Sequence, residues 1–288
     1  MLTVRALAKL NLTLEVLGKR QDGFHEIRSV MQTISLGDSL SFQPGQHITF
    51  KSDLTGWLAA ESLVSRATGL LQQVSGCMQG VSIEVTKHIP LSSGLGGDSS
   101  DAAAVLLGLN QFWQLGLSPQ KLLELARQLG SDVSFFLYGG TALLEGRGEI
   151  VTPLPPLPHR WVVLVMPPVP RLPGKTKRLY ESLRATDFTD GQNTQRLVEE
   201  IKMGREFTPS LLCNTFENVA SARFPGLDTC REQMVKAGTA DVHLAGSGPV
   251  LFTLLKDKAQ AEGLYTRLRQ QKLESYLAET LASLEKIE

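Results

Sequence analysis

Residues 90–104 read PLSSGLGGDSSDAAA, and few stretches restrict a chain's fold as much: three glycines pass through serines into small helix-forming residues. Gly94, Gly96 and Gly97 lack a Cβ, so the backbone there can take positive φ and bring its amides close to a ligand. From Ser99 the run SSDAAAVLLGLNQFW predicts a helix, with Ser or Asp as its N-cap and three alanines in its first turns. The positive end of that helix would face whatever the glycines cradle, and phosphate is the ligand chemistry it suits. Taken alone, the stretch is equally a glycine turn before a buried helix.

The two best-known phosphate loops do not fit. A Walker loop needs GxxxxGK[ST], and no lysine follows these glycines. A dinucleotide fingerprint belongs to one βαβ unit. The strand candidate Val81 to Val85 precedes the loop, but a second helix, Leu122 to Leu129 ended at Gly130, follows where a strand should come.

The opening residues Leu2 to Val16 alternate with the period of a strand. Leu10, Leu12 and Leu14 share one face; Lys9, Asn11 and Thr13 share the other. GKRQDGFHEI is a glycine-bounded turn, after which Ile27 to Ile34 and Ser39 to Phe42 read as further strands. Ser62 to Val74 is a helix, and Phe135 to Leu144 with its flanking glycines reads as extended. VTPLPPLPHR cannot continue a regular element and sets the predicted boundary, giving domains 1–153 and 154–288. Beyond it, Trp161 to Met166 is a buried strand. Lys175 to Leu183, Gln195 to Lys202, Leu227 to Ala237 and Ala259 to Gln271 are helices, and VHLAGSGPVLFTLL is strand, glycine turn, strand. In residues 273–288 ESYLAETL fits a strand, while AETLASLEKIE also fits a helix. The order predicts an α+β fold of mixed and antiparallel sheets covered by helices.

At 288 residues the chain can bury a substantial core. Its 29 basic and 29 acidic residues create no global field for nucleic acid or a membrane surface, so any anion must be bound locally. No apolar run approaches the ~20 residues of a membrane span, and the N-terminus has no export signal. Cys77, Cys213 and Cys230 form no CxxC pair. Buried free thiols in a reducing cytoplasm are expected, with no zinc site. Monomer and homodimer are equally compatible with this composition.

Together AKLNL (Ala8 to Leu12), PLSSGLGGDSSDAAA and LAGSGPVLF (Leu244 to Phe252) resemble the three motifs of the GHMP small-molecule kinase superfamily, in the family's order. GKRQDGFHEIRSVMQTISLGD (Gly18 to Asp38) and LGSDVSFFLYGGTALLEGRGE (Leu129 to Glu149) narrow the resemblance to the branch that phosphorylates the 2-hydroxyl of 4-diphosphocytidyl-2-C-methyl-D-erythritol. The resemblance implies a two-domain fold with the active site in the cleft between domains. It also implies ATP and Mg²⁺ as cofactors, a cytidine-diphosphate-linked polyol as the small-molecule substrate, and a place in non-mevalonate isoprenoid synthesis.

It further implies roles. Lys9 and Asp132 are the catalytic pair, Asp132 as base and Lys9 orienting the hydroxyl and holding Asp132 ionised. Lys87, Pro90, Gly94, Leu95, Gly96, Gly97, Asp98, Ser99 and Ser100 form the nucleotide cradle, and a serine hydroxyl at 99 or 100 would reach Mg²⁺. Asn11, Phe24, His25, Tyr180, Gly246, Ser247 and Gly248 bind the substrate, with Phe24 and Tyr180 sandwiching the cytosine and His25 bonding its edge. Asp98 stands where relatives commonly carry a third glycine and is expected to cap the helix or face solvent. Two other readings exist: a GHMP kinase for homoserine, mevalonate or a sugar, and a non-catalytic binding protein of the same fold. Cytidine dependence separates the first, and the retained Lys9 and Asp132 oppose the second.

Overall fold

The computed structural model describes residues 1–55, 57–170 and 172–284. The chain opens with two long antiparallel strands, β1 (Leu2–Lys19) and β2 (His25–Gly45). The predicted alternation holds only to Ala6; from there β1 is buried on both faces as far as Val16. The polar face carrying Lys9, Asn11, Thr13 and Glu15 is therefore an interior face. Buried polar groups need partners, and Thr13 Oγ1 accepts from Thr194 Oγ1 at 2.9 Å while Glu15 Oε2 accepts from the Thr194 amide at 2.7 Å.

The two strands expected at 27–34 and 39–42 are one. Residues 35–38 do not break it because β1 continues as a template, pairing Leu7 with Gly37 and Ala6 with Asp38. Strands β3 (Ile48–Ser52) and β4 (Gly80–Thr86) flank helix α1 (Leu63–Ser75), whose N-cap Ser62 accepts from the Val64 amide at 3.0 Å. Helix α2 (Gly97–Phe112) begins two residues earlier than predicted, on Gly96 in the left-handed region at φ 78°, so neither Ser nor Asp caps it. Asp98 lies exposed in its first turn, where its charge favours the helix dipole.

Helix α3 (Pro119–Leu129) is followed by a 3₁₀ turn at Ser131–Val133 and the short helix α4 (Phe135–Tyr138). The extended reading of 135–144 thus fails in its first half. An apolar run such as FFLY fits either period, and burying Phe135 and Phe136 edge to face, 5.3 Å apart, selects the helix. Gly139 and Gly140 then turn the chain into β5 (Thr141–Gly146) and β6 (Ile150–Pro153).

After the proline segment come β7 (Trp161–Met166), α5 (Lys175–Ser182), α6 (Gln192–Lys202), β8 (Cys213–Asn214), α7 (Glu217–Arg223) and α8 (Leu227–Lys236). The chain continues through β9 (His243–Leu244), β10 (Leu251–Leu255), α9 (Lys258–Gln270) and β11 (Glu274–Glu279). The strand reading of ESYLAETL thus holds over Glu274–Glu279, and residues 285–288 lie outside the described residues.

Among the described residues seven strands form one sheet, β3-β4-β2-β1-β8 with β5 paired to β2 and β6 to β5, and four form another, β11-β7-β10-β9. One face of the first sheet packs on α1, α2 and α3 through Phe42, Leu71, Ile83 and Leu109. The second sheet packs on α7, α8 and α9 through Phe224, Met234, Leu251 and Leu264. A third core joins the sheets, with Leu10 and Ile34 meeting Leu164, Val250 and Phe252. No helix among the described residues is long and apolar enough to cross a membrane.

Candidate active site

A cleft of about 1110 Å³ runs between the elements that carry the three motifs. Lys9 reaches it from β1. The β1–β2 register shifts on either side of residues 9–11, between Leu7 and Lys9 and between Asn11 and Thr13. Such bulges re-aim side chains beside active sites. The Lys9 amide also leaves the sheet ladder and donates to Leu95 O at 3.0 Å, tying the strand to the glycine loop.

The Lys9 ammonium donates to Asn11 Oδ1 at 2.6 Å and lies 3.6 Å from Asp132 Oδ2. Burial pushes its pKa below the usual lysine value, with Asp132 pulling the other way. Asn11 in turn donates to Ser29 Oγ at 2.8 Å, and Ser29 Oγ donates to Thr13 O. Asn11 thereby holds Lys9 while itself lining the cleft. Asp132 sits in the 3₁₀ turn with its side chain one-third exposed to the cleft.

The two glycine loops meet backbone to backbone. A Cβ on Gly94, at φ 89°, would stand 2.1 Å from Ala245 O; one on Gly246, at φ 53°, would stand 2.7 Å from Gly94 O and 2.8 Å from Lys9 Nζ. Only glycine fits either place. The first amides of α2, at Gly97, Asp98 and Ser99, have no helical acceptor and point toward the loop side. Pro90, Gly94, Gly96, Gly97, Asp98, Ser99, Gly246 and Ser247 all line the cleft.

Three expected site residues, two of the cradle and one of the substrate set, do not. Ser100 is buried and its hydroxyl donates to Leu7 O at 2.7 Å, which takes it out of the proposed metal ligands. Leu95 turns its side chain wholly into the core. Gly248 contributes a carbonyl that accepts from Lys175 Nζ. Lys87 borders the cleft, but its ammonium is already committed, lying 2.5 Å from Asp38 Oδ2 and 2.6 Å from Asp101 Oδ2. Asp38 Oδ1 also accepts from the His88 and Ile89 amides, and Asp101 Oδ1 is buried without a hydrogen-bond partner. Burial pushes the Asp101 carboxyl up to about 7 against the pull of Lys87.

Elsewhere in the cleft the rings of His25 and Tyr180 stack at 4.8 Å and 17°, with Phe216 edge-on to Tyr180 and Phe188 edge-on to His25. Burial, with Lys19 nearby, lowers the His25 pKa and favours a neutral ring that offers one donor and one acceptor. Phe24 does not face Tyr180. It is 54 % exposed at the rim, with the Arg147 guanidinium 4.6 Å above its ring.

Sequence reasoning missed Lys175. It begins α5, donates to Ser92 O at 2.8 Å and to Gly248 O, and its neighbour Thr176 bonds Ser247 Oγ at 3.0 Å. A lysine in GKTKRLY carries no local signal of this reach. The partners of Lys87 were likewise visible only as letters within longer motifs.

For a metal, no group of three His, Cys, Asp or Glu side chains able to hold one occurs among the described residues. Mg²⁺ bound with a nucleotide keeps waters and phosphate oxygens and takes one or two protein ligands. Ser99 and Asp98 at the cleft wall fit that lighter demand.

The chain matches the pattern of the GHMP kinases N terminal domain over residues 62–140 and that of the GHMP kinases C terminal domain over residues 197–274. It is 49% identical over 285 residues to a 4-diphosphocytidyl-2-C-methyl-D-erythritol kinase of Dehalococcoides mccartyi, covering 99% of this chain and 100% of the relative. A Geobacillus thermodenitrificans protein of the same name is 39% identical over 276 residues, 93% of each chain. The crystal structure of a 4-(cytidine 5'-diphospho)-2C-methyl-D-erythritol kinase superposes with a TM-score of 0.82 at 32% identity, covering 96% of this chain and 98% of that one. Motif order, fold and full-length similarity agree: the chain belongs to the GHMP kinases and, within them, to the 4-diphosphocytidyl-2-C-methyl-D-erythritol kinase family.

Proposed function

We propose that the chain transfers the γ-phosphoryl group of ATP to the 2-hydroxyl of 4-diphosphocytidyl-2-C-methyl-D-erythritol, as a cytoplasmic step of non-mevalonate isoprenoid synthesis. The observation that carries this reading is the Lys9–Asp132 pair, 3.6 Å apart, in a cleft that also contains the glycine loops and the His25–Tyr180 stack. The division at 153/154 goes with it, supported by the separate spans of the two family patterns.

Phosphoryl transfer asks the protein mainly for positioning and charge. The acceptor oxygen attacks the γ-phosphorus, its proton passes to Asp132, and the bond to the β–γ bridging oxygen breaks to release ADP. Lys9 lies 3.6 Å from Asp132 before the step and faces the charge that develops during it. Asn11 acts through Lys9 by fixing its ammonium. The α2 amides and the glycine loops receive the phosphates. Mg²⁺, near Ser99 and Asp98, would neutralise phosphate charge.

Stacking plus a donor–acceptor imidazole edge suits a cytosine ring, with Tyr180 and His25 as the recognition pair and Phe24 as a flap at the rim. A coupled kinase assay comparing 4-diphosphocytidyl-2-C-methyl-D-erythritol with 2-C-methyl-D-erythritol and simple alcohols tests the reading. Turnover should require the cytidine diphosphate. Equal turnover of the bare polyol would overturn the acceptor assignment.

A further inference from the structure

Five lysines line the cleft; Lys19 and Lys177 are exposed, whereas Lys9, Lys87 and Lys175 are buried or half-buried. The charge of Lys9 meets Asp132, and that of Lys87 meets Asp38 and Asp101. Lys175 differs: its ammonium sits on two neutral carbonyl oxygens, those of Ser92 and Gly248, and it makes no ion pair among the described residues. Withdrawing an ammonium from water without a counter-charge is costly. Burial, reinforced by the charge of Lys9, accordingly lowers its pKa to about 7.

Its position is specific. Ser92 belongs to the phosphate loop and Gly248 to the third-motif turn, and these loops abut with no room for a side chain between Gly94 and Ala245. Lys175 stands on the seam. An ammonium has three donors; two are spent on the loops, leaving one for a ligand in the cleft.

We propose that Lys175 is a phosphate-binding residue of the transfer site, its ammonium receiving a phosphate oxygen of a nucleotide at the seam between the two glycine loops. The assignment rests on the kinase reading above. It explains why a cation is buried on carbonyls alone: the missing counter-charge arrives with the ligand, and the loop carbonyls hold the ammonium ready for it.

The test compares the full-length wild type with Lys175→Gln and Lys175→Arg, measuring affinities for adenosine and Mg·ATP by calorimetry, and for cytidine and CDP in parallel. Lys175→Gln should weaken ATP on the order of tenfold while leaving adenosine within about twofold. Lys175→Arg should recover most of the loss. A loss confined to CDP over cytidine also supports the proposal and assigns the phosphate to the acceptor. Equal losses for nucleoside and nucleotide would overturn it, because a lysine that only shapes the loops does not count phosphates; so would no loss at all. Lys175→Met, which keeps the apolar stem, replaces Lys175→Gln if that variant does not fold. Failure of the wild type to bind any adenine nucleotide would instead overturn the kinase reading, and this proposal with it.

Discussion

Lys9 Nζ lies 3.6 Å from Asp132 Oδ2, joining a bulged strand near the N-terminus to a 3₁₀ turn more than a hundred residues later. The pair is held from the lysine side, where Asn11 and Ser29 form a buried relay. Asp132 is the freer partner, with its carboxylate open to the cleft.

Replacing Asp132 by Asn should therefore remove the proton acceptor while keeping shape. Turnover should fall by ~10²–10⁴-fold, with ATP affinity nearly unchanged. Steady-state kinetics paired with nucleotide titration separates the two; a loss mainly in ATP affinity would contradict the assigned role.

The nucleoside end gives a graded expectation. Tyr180→Ala deletes one partner of the His25 stack, and aromatic pairs contribute about 0.5–1.5 kcal/mol beyond burial. KM for the cytidine substrate should rise several-fold or more. Phe24→Ala should raise it less, because Phe24 is exposed and turned toward Arg147. The reverse order would show that Phe24 swings in over the base.

At Gly246 an added methyl would meet Gly94 O at 2.7 Å and Lys9 Nζ at 2.8 Å in a backbone conformation that disfavours side chains. Gly246→Ala should cost about 1–3 kcal/mol of stability and displace Lys9, lowering turnover more than thermal stability. Melting curves and kcat on the same preparation check this.

The buried Lys87 triad makes a pH-dependent contribution. The folded Asp101 carboxyl titrates at about 7, above the ~3.9 of an unfolded aspartate, so the native state binds the extra proton between those values. Stability should then decline as pH rises from about 4 to about 7 and level off above. Asp101→Asn should flatten that slope in denaturant titrations. Lys87→Met, which leaves two buried carboxylates without their cation, should cost about 3–5 kcal/mol.

What the sequence discloses follows the range of the forces involved. Period-two alternation puts Lys9 and Asn11 on one face, and glycine spacing marks both loops, because these are local properties. Alternation alone does not tell a solvated polar face from a buried one, and the structure buries it; covering by α6 residues such as Thr194 is a long-range event. The bulges around Lys9, the Lys87 ion pairs and the His25–Tyr180 stack all depend on segments brought together by the sheets. The run FFLY folds as helix because its two phenylalanines are needed in the core.

The two-residue strand β8 has a consequence out of proportion to its length. It pairs in parallel with β1 at Thr13 and Leu14, and Asn214 extends its amide to Leu244 O and Gly246 O at 2.9 and 2.7 Å. The later half of the chain is thus stitched into the sheet that bears Lys9, a few residues from it, and reaches from there to the third-motif turn. Prising the two sheets apart like a hinged shell would tear that seam and strip the lysine of its frame. The floor of the cleft is thus a single piece to which both halves of the chain contribute, and the distance between Lys9 and the third-motif turn is set by it.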